Sequence, residues 1–246
     1  MNRLQRYARD KLGRLAREPF FRTLEHDLPP TTSLQMLPYL TFWSMVFQDI
    51  IALNLARVTD PALRNIVQTH HDEDVGHNLW LAEDLRLIYG VLPDVLAIFD
   101  REYLQARAVS YALMSEVFAA QSDWERVALP IVLEEGGKVF LPALTAHFER
   151  AGLAGHLRAL GRGHVQTEAD HQLHTDAVAA SFAAIELPAD VGARVQAMAD
   201  RAYTVFVGFA DVLDGAVTRS SPEREAAIAR RLRELALASG GAGARS

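Results

Sequence analysis

The sequence predicts an all-α protein, folded as a single-domain bundle of seven to eight helices. Strand signals are nearly absent, because no segment sustains the two-residue alternation of apolar and polar side chains that a half-buried strand needs. Signals for the start of a helix are frequent instead. Asp60-Pro61 and Ser221-Pro222 each combine a capping side chain with a proline suited to the first helical turn. At 246 residues, half of them hydrophobic, the chain is long enough to bury one large core.

Prolines, glycines and capping residues set the predicted helix boundaries. Pro29-Pro30 forces an extended break after the first amphipathic segment, and Gly90 ends the third helix. In chain order, the predicted helices cover residues 2–17, 32–58, 61–89, 92–121, 124–150, 164–185 and 189–217, followed by a last amphipathic helix that starts at Ser221. We expect residues 1–220 to form the bundle domain, and residues 221–246 to form that last helix and a disordered tail beginning at Gly240.

The helix predicted over residues 124–150 carries several potential helix breakers in an otherwise apolar run. Pro130 and Pro142 each remove a backbone N–H donor, and Gly136-Gly137 lies between them. Such breakers predict kinks or short unwound turns within this helix.

Composition narrows the class of partner and the compartment. The net charge of −6 and the absence of a Lys/Arg stripe argue against nucleic acid as a partner. No cysteine is present, which excludes disulfides, thiolate metal ligands and Cys nucleophiles. The N-terminal segment lacks the apolar core of a secretory signal. The apolar 32–58 helix is interrupted by Gln48, Asp49 and Asn54, which favours a buried core helix over a membrane span. We therefore expect a soluble cytoplasmic protein with no membrane partner.

Two acid-x-x-His segments lie about ninety residues apart, each inside a run that predicts a long helix. The first is Asp74-Val-Gly-His77, and the second is Glu168-Ala-Asp-His171. Residues three apart on a helix point the same way, so each segment offers a carboxylate oxygen and an imidazole nitrogen to one point. Two such helices, each facing a helix that adds a carboxylate, form the di-iron or di-manganese site of carboxylate-bridged bundles.

Further candidate ligands extend these two faces. His70 precedes Asp74 by four residues and His164 precedes Glu168 by four, so each shares a helical face with its acid-x-x-His pair. Whether His70 is a ligand stays open. Between the two segments lies Glu134-Glu135, of which we favour Glu134 because it falls on the inward-looking face of its predicted helix.

The 32–58 helix should supply the remaining carboxylate of a complete dinuclear site. Asp49 lies at helical spacing among apolar residues, where an unpaired charge is costly and a metal would offset that cost. The 32–58 and 61–89 helices are joined by the turn near Thr59, so residues equally far from that turn lie at the same level. The residues of the 32–58 helix level with Asp74 lie near Ser44, which is not a carboxylate. The sequence leaves open which residue of this helix, if any, is a ligand.

At these residues the chain resembles the heme-oxygenase-like diiron oxidases, all-α relatives of the thiaminase II and pyrroloquinoline-quinone synthase folds. The resemblance covers roughly residues 18–215 and rests on the H-x-x-x-(D/E)-x-x-H pattern of His164, Glu168 and His171, on Glu134, and on the E-D-V-G-H-x-x-W run ending at Trp80. It implies O2 activation at two irons, followed by N-oxygenation, desaturation or carbon–carbon cleavage of a small, often amino-acid-derived substrate. The chain departs from the pattern in having Asp74 where a Glu is usual, and it lacks the cysteine nucleophile of thiaminases.

The leading hypothesis is therefore a non-heme iron or diiron oxidase or oxygenase that acts on a small molecule, with one or two Fe(II) ions and O2 as co-substrate. The metal ligands expected are Asp74, His77, Glu134, His164, Glu168 and His171. Glu134, His164, Glu168 and His171 would form the tighter position, and Asp74 with His77 the weaker one. One alternative is a cofactorless enzyme of the same fold that uses the histidines for acid–base chemistry. Another is a non-catalytic helical protein that binds a ligand or partner. A homodimer is compatible with these features, and the sequence leaves the oligomeric state open.

Overall fold

The computed structural model describes residues 2–90, 96–170 and 187–242, and within these ranges the regular structure is helical, with no strand. The predicted all-α class is therefore confirmed. Eight of the described α-helices have eleven residues or more. The α-helices are α1 Asn2–Leu12, α2 Pro19–Glu25, α3 Pro30–Ser33, α4 Leu37–Ala56, α5 Pro61–Asp74, α6 His77–Tyr89, α7 Leu104–Ala119, α8 Asp123–Arg150, α9 Arg162–Ala169, α10 Ala189–Thr218 and α11 Pro222–Ala242.

The main core lies between the four longest inner helices, α4, α7, α8 and α10. Ile50, Leu113, Phe148 and Leu213, one from each of these helices, are fully or almost fully buried in one apolar cluster. A smaller cluster packs α5 against the N-terminal half of α8 and the start of α10. Ile228 of α11 is buried in the main cluster, so the last helix packs against the same bundle.

Several predicted boundaries differ from the structure at helix ends. The first predicted helix continues beyond α1 only as a 3₁₀ turn over Gly13–Arg17, and α7 begins at Leu104 after two further 3₁₀ turns. Residues 91–95, where the prediction placed the start of that helix, lie outside the described residues. The last helix extends to Ala242, so the tail predicted from Gly240 is helical in its first three residues.

The segment Pro30–Ala56 is the one described helical stretch that is long and apolar enough to cross a membrane, judged by length and composition alone. Half of its most apolar window is buried within the bundle. Core helices have the same composition, and Phe42, Val46 and Ile50 of this segment belong to the main core.

The prediction of unwound turns in the 124–150 helix is wrong, because α8 is α-helical from Asp123 through Arg150. Pro130 cannot donate to the carbonyl of Arg126, four residues earlier. Asn54 of α4 replaces that donor, since its Nδ2 donates to the Arg126 carbonyl at 2.8 Å. A tertiary hydrogen bond thus satisfies the group that the proline leaves without a helical partner.

Gly136 gives α8 close contact with α10. A Cβ at this position would overlap the ring of Phe206, so any larger residue would displace that ring. The sequence prediction took Gly136 as a helix breaker, whereas the structure uses it for close helix packing.

We expect Asn54→Leu to lower the free energy of unfolding by roughly 1–2 kcal/mol, because the half-buried Arg126 carbonyl loses its donor. In a Pro130→Ala background the restored N–H at position 130 can reach that carbonyl, so the same substitution should cost less. Urea unfolding of the four proteins of this double-mutant cycle measures the coupling. Equal costs in both backgrounds would contradict the replacement of the helical donor by Asn54.

Candidate metal centre

A sharp corner between α5 and α6 positions Asp74 and His77. Asp74 is the last residue of α5 and His77 the first of α6, and between them Gly76 adopts φ 92°, a left-handed conformation that favours glycine. Gln48 of α4 holds this corner, because its Nε2 donates to the Asp74 carbonyl and its Oε1 accepts from the Gly76 N–H, both at 3.0 Å. The prediction of one continuous helix over 61–89 is therefore wrong, and the two residues converge across a corner.

His70, Asp74 and Glu134 form the inner cluster, which lies between α5 and α8. The Nε2 atom of His70 is 3.0 Å from Glu134 Oε1 and 2.9 Å from Asp74 Oδ2. All three residues are buried, and only 1% of the surface of His70 is exposed. One imidazole nitrogen thus faces two carboxylates in a region that excludes water.

Hydrogen bonding alone leaves the inner cluster incompletely satisfied. A single N–H at His70 Nε2 can point to only one carboxylate oxygen. Asp74 Oδ2 makes no hydrogen bond of adequate geometry, and the buried Nδ1 of His70 makes none either. Burial lowers the pKa of His70, but the adjacent Asp74 and Glu134 carboxylates raise it by more, so the net shift is upward. The cluster therefore favours a positive charge at the point where these three side chains meet.

His77, His164 and Glu168 form the outer cluster, which lies between the start of α6 and α9. Glu168 Oε1 is 2.9 Å from His164 Nε2 and 3.2 Å from His77 Nδ1. The three side chains are partly buried, and their potential ligand atoms all lie within 4.8 Å of one another, as they do in the inner cluster.

The orientation of His164 matches that of a metal-ligating histidine. Its Nδ1 lies 2.6 Å from the carbonyl oxygen of Ala159, which can only accept, so Nδ1 carries the proton. In the neutral ring the Nε2 lone pair then points at Glu168, a second acceptor. A shared proton or a cation must lie between these two atoms. A backbone carbonyl that fixes the tautomer in this way is the usual outer partner of a ligating imidazole.

The titration properties of the outer cluster agree with a requirement for positive charge. Burial lowers the pKa of His164, but the hydrogen bond with Glu168 raises it by more, and the net shift is upward. Burial raises the pKa of Glu168, whereas its hydrogen bonds with His164 and His77 lower it by more, to about 2. The carboxylate is therefore ionised at neutral pH and available as a ligand.

Asp74 links the two clusters. Its Oδ2 lies 2.9 Å from His70 in the inner cluster, and its Oδ1 lies 3.5 Å from His77 Nδ1 in the outer cluster. A carboxylate with one oxygen directed to each cluster has the placement of a bridging ligand.

Asp84 of α6 positions the segment that leads into α9. Its buried carboxylate accepts the backbone N–H groups of Arg158, Ala159 and Leu160 at 2.6, 2.9 and 3.3 Å. This segment includes the Ala159 carbonyl that orients His164, so Asp84 acts on the outer cluster through the backbone. Neither spacing nor charge pattern in the sequence singled out Asp84, because its partners are backbone groups of a distant loop.

Trp80 packs against both histidines of the outer cluster. Its ring stacks on His77 with centroids 4.1 Å apart and meets His164 edge-on at 4.9 Å. The guanidinium of Arg158 also lies over the indole, 5.1 Å from the ring centroid. Both imidazoles are therefore held in position by an aromatic contact in addition to their hydrogen bonds.

Five of the six predicted ligands, Asp74, His77, Glu134, His164 and Glu168, come together in the structure, and His70 joins them. The sixth, His171, lies outside the described residues. The predicted grouping is wrong in two respects. Glu134 lies with His70 and Asp74 and not with His164 and Glu168, and His77 lies with His164 and Glu168 and not in one group with Asp74.

Two other carboxylates lie away from the clusters. Glu135 contacts Lys138 and Arg9 instead of the histidines. Asp49 is exposed, so its predicted place on the buried face of α4 is wrong. At the level of the clusters α4 presents Ser44 and Gln48, which are neutral.

A cavity of about 370 Å³ opens beside the two clusters. Asp74, His77, Glu134, His164 and Glu168 are among its lining residues, and His70 contacts Asp74 and Glu134 without lining it. The other lining residues are mainly apolar and come from α4, α6, α8, α9 and α10 and from the segment before α9. A small organic molecule in this cavity would contact the outer cluster directly.

The chain matches no protein-family model, and none of the curated proteins matches it.

The donor set fits a divalent transition metal. It combines imidazole nitrogens with carboxylate oxygens and no thiolate, a combination that suits iron, manganese or zinc. Asp74 Oδ2 has no hydrogen bond, and the His164–Glu168 pair requires a proton or a cation between its facing atoms. A cation in each cluster would satisfy the facing lone pairs and offset the charge of three carboxylates.

We expect Asp84→Ala to lower the free energy of unfolding by about 2–4 kcal/mol, because it leaves three backbone N–H groups without an acceptor in a largely buried region. Metal bound by the outer cluster should be lost along with the order of the 158–160 segment. Urea unfolding and metal analysis of the purified variant measure the two effects. Glu83→Ala is the matched control, since the neighbouring Glu83 pairs with Arg158 at an exposed site, where an ion pair contributes little. Similar losses in both variants would contradict the role given to Asp84.

Proposed function

We propose that this protein is a non-heme iron oxidase or oxygenase that uses O2 to oxidise a small organic molecule. The single observation that carries the proposal is the outer cluster, with two imidazoles and one carboxylate facing a cavity. Two histidines and one carboxylate with open positions are the ligand set of many non-heme Fe(II) oxygenases. His77, His164 and Glu168 would hold that ion on the side of the cavity where a substrate can reach it.

The inner cluster supports a second ion. His70, Asp74 and Glu134 offer one nitrogen and two carboxylates, and Asp74 has its second oxygen directed to the outer cluster. Two dications would offset the charge of the three ionised carboxylates in the combined site. This arrangement agrees with the proposed kinship to the heme-oxygenase-like diiron oxidases, in which carboxylates and histidines from several helices bind two irons.

Each part of the site has a distinct task in this proposal. Iron(II), when bound, would activate O2, and O2 would be the oxidant that accepts electrons from the substrate. The Ala159 carbonyl and Trp80 keep the outer imidazoles oriented, and Gln48 keeps Asp74 at the corner between the clusters. The apolar walls exclude water from the reacting molecule, which strengthens the electrostatic interactions of the ligands.

The His164–Glu168 pair also favours a second candidate, a cofactorless enzyme of the same fold. With Nδ1 of His164 fixed by Ala159 and Nε2 facing Glu168, this pair beside the cavity could hold a proton and exchange it with a bound molecule. Turnover that persists in chelator-treated, metal-free protein would select this candidate over the iron enzyme.

We expect His164→Ala to lose most of the iron in the outer position, because it removes one of the three described ligands there. His156→Ala is the control, since His156 is exposed and lies outside both clusters. The measurement is iron per chain after anaerobic loading with Fe(II) and desalting, followed by the absorption change on exposure to O2. Wild-type protein that retains no iron would refute the proposal, and equal iron in both variants would refute the place of His164 in it. Our expectation that His171→Ala also releases iron is tested in the same assay.

The inner cluster should bind iron more tightly than the outer cluster. The sequence led us to expect the reverse, with the tighter position at His164 and Glu168. The inner cluster has two carboxylates and is more deeply buried, whereas the outer cluster has one carboxylate among its described residues. More anionic ligands compensate more of the dication's charge, so the inner position should fill first. Titration with Fe(II) under argon should give one tight equivalent that Glu134→Gln weakens and a second, weaker equivalent that His164→Ala removes. Loss of the tight equivalent in His164→Ala alone would reverse this order.

A further inference from the structure

Part of the cavity lining, the aromatic wall, is formed by five aromatic rings. They belong to Trp43, Phe47, Phe140, Phe206 and Phe209. Trp43 stacks on Phe209 with centroids 4.1 Å apart and an interplanar angle of 14°, and it lies 5.0 Å from Phe206. Gly136 supports the other side of the Phe206 ring by leaving room for it against α8. The rings of Trp43, Phe140, Phe206 and Phe209 contact one another, and Phe47 lies against His70. An apolar ligand would therefore meet a preformed surface.

Charge is distributed unevenly around the cavity. Lys138 is the one lysine or arginine among the described lining residues, and it lies at the exposed mouth next to Gly137. It follows Glu134 by four residues on α8, so the two side chains share a helical face at levels about 6 Å apart. A group bound at Lys138 would therefore lie one helical turn from the inner cluster.

The positive charge of Lys138 is only partly neutralised. Its Nζ lies 3.0 Å from Glu135 Oε1, but Glu135 Oε2 is also 3.6 Å from the guanidinium of Arg9. One carboxylate thus faces two cations, so Glu135 does not fully neutralise both Lys138 and Arg9. Lys138 can accept an anionic partner without leaving Glu135 unpaired.

The cavity lacks a partner for the ammonium group of an amino acid. The carboxylates among its described lining residues are Asp74, Glu134 and Glu168, and these already face the imidazoles. An ammonium group there would compete with the metal ions for the same oxygens. The amino-acid-derived substrate implied by the family resemblance therefore fits this cavity poorly.

We propose that the cavity binds an organic monoanion with an apolar, ring-sized body, placed against the aromatic wall with its anionic group at Lys138. The proposed function gives this ligand the role of substrate, and the inference rests on it for that role alone. Binding itself depends on the aromatic wall and on Lys138, neither of which belongs to the clusters. It can therefore be measured with or without iron.

Three probes with one hydrocarbon body test the inference: the anion 2-naphthoate, the neutral 2-naphthamide and the zwitterion 3-(2-naphthyl)alanine. Calorimetric titration of the full-length protein, iron-loaded and iron-free, should rank naphthoate first and naphthylalanine last. The preference for naphthoate over naphthamide should be about fivefold, the size expected for a partly exposed ion pair. Equal affinity for the anion and the amide, or tightest binding of naphthylalanine, would overturn the inference.

Two variants locate the bound probe. Lys138→Met should remove the preference for naphthoate and leave naphthamide binding unchanged. A Cβ at Gly137 would meet nothing within 4 Å, so Gly137→Leu should fold normally yet narrow the mouth and weaken all three probes. Gly192→Leu is the matched control, because Gly192 is also helical with free space at its Cβ and does not line the cavity. Unchanged binding in Gly137→Leu, with a native circular dichroism spectrum, would place the probe elsewhere and overturn the inference.

The outcomes separate this inference from the proposed function. If the protein retains iron but binds none of the probes, the inference is overturned and the proposed iron site is unaffected. Probe binding that depends on Lys138, in a protein that retains no iron, would support the inference and refute the iron enzyme.

Discussion

The rest of the site depends on one electrostatic constraint, the enclosure of three carboxylates and three imidazoles in a largely buried space. Each carboxylate lies within about 3.5 Å of an imidazole nitrogen, and the three are too close together for all to remain charged without compensation. Protons or metal ions must supply positive charge at these points. The positions of α5, α6, α8 and α9 are therefore set by charge compensation as well as by apolar packing.

Groups outside the clusters hold the six side chains in place. Gln48 fixes the corner between α5 and α6 from α4, and Asp84 fixes the backbone before α9 from α6. Both use hydrogen bonds to backbone groups, which are more rigid partners than long side chains. Precise support of this kind is what a metal site requires, since ligands displaced by an ångström lose most of their affinity.

The helical class and most helix positions could be predicted from the sequence, because caps, prolines and glycines act locally. The break at Gly76 was missed, since apolar spacing continues on both sides of it and the left-handed turn is stabilised by Gln48 from another helix. Asp49 was placed on the buried face of α4 because this helix is apolar on most sides, which makes its inward face hard to identify from spacing. The prediction of unwound turns in α8 was wrong. At Pro130 the missing helical N–H donor is replaced by Asn54 of another helix, which spacing along the sequence does not reveal.

The candidate site was predictable in its membership and less so in its arrangement. Local spacing identified Asp74, His77, His164 and Glu168, whose residue types are informative by themselves. The grouping of Glu134 with His70 depends on how α8 crosses α5, and no local pattern encodes that crossing. Asp84 was not predictable, because a carboxylate that binds backbone N–H groups has no sequence signature.

The long separation along the chain between the members of each cluster bears on how the protein folds. In the inner cluster His70 meets Glu134 across 64 positions, and Asp84, which supports the outer cluster from outside it, meets Ala159 across 75. During synthesis His70, Asp74 and His77 emerge well before the three residues that complete the two clusters, Glu134, His164 and Glu168. Contacts of such range close slowly, because the entropy of large loops must be overcome before they form. We therefore expect the clusters to assemble late in folding, when α8 and α9 dock and bring Glu134 and Glu168 beside the histidines.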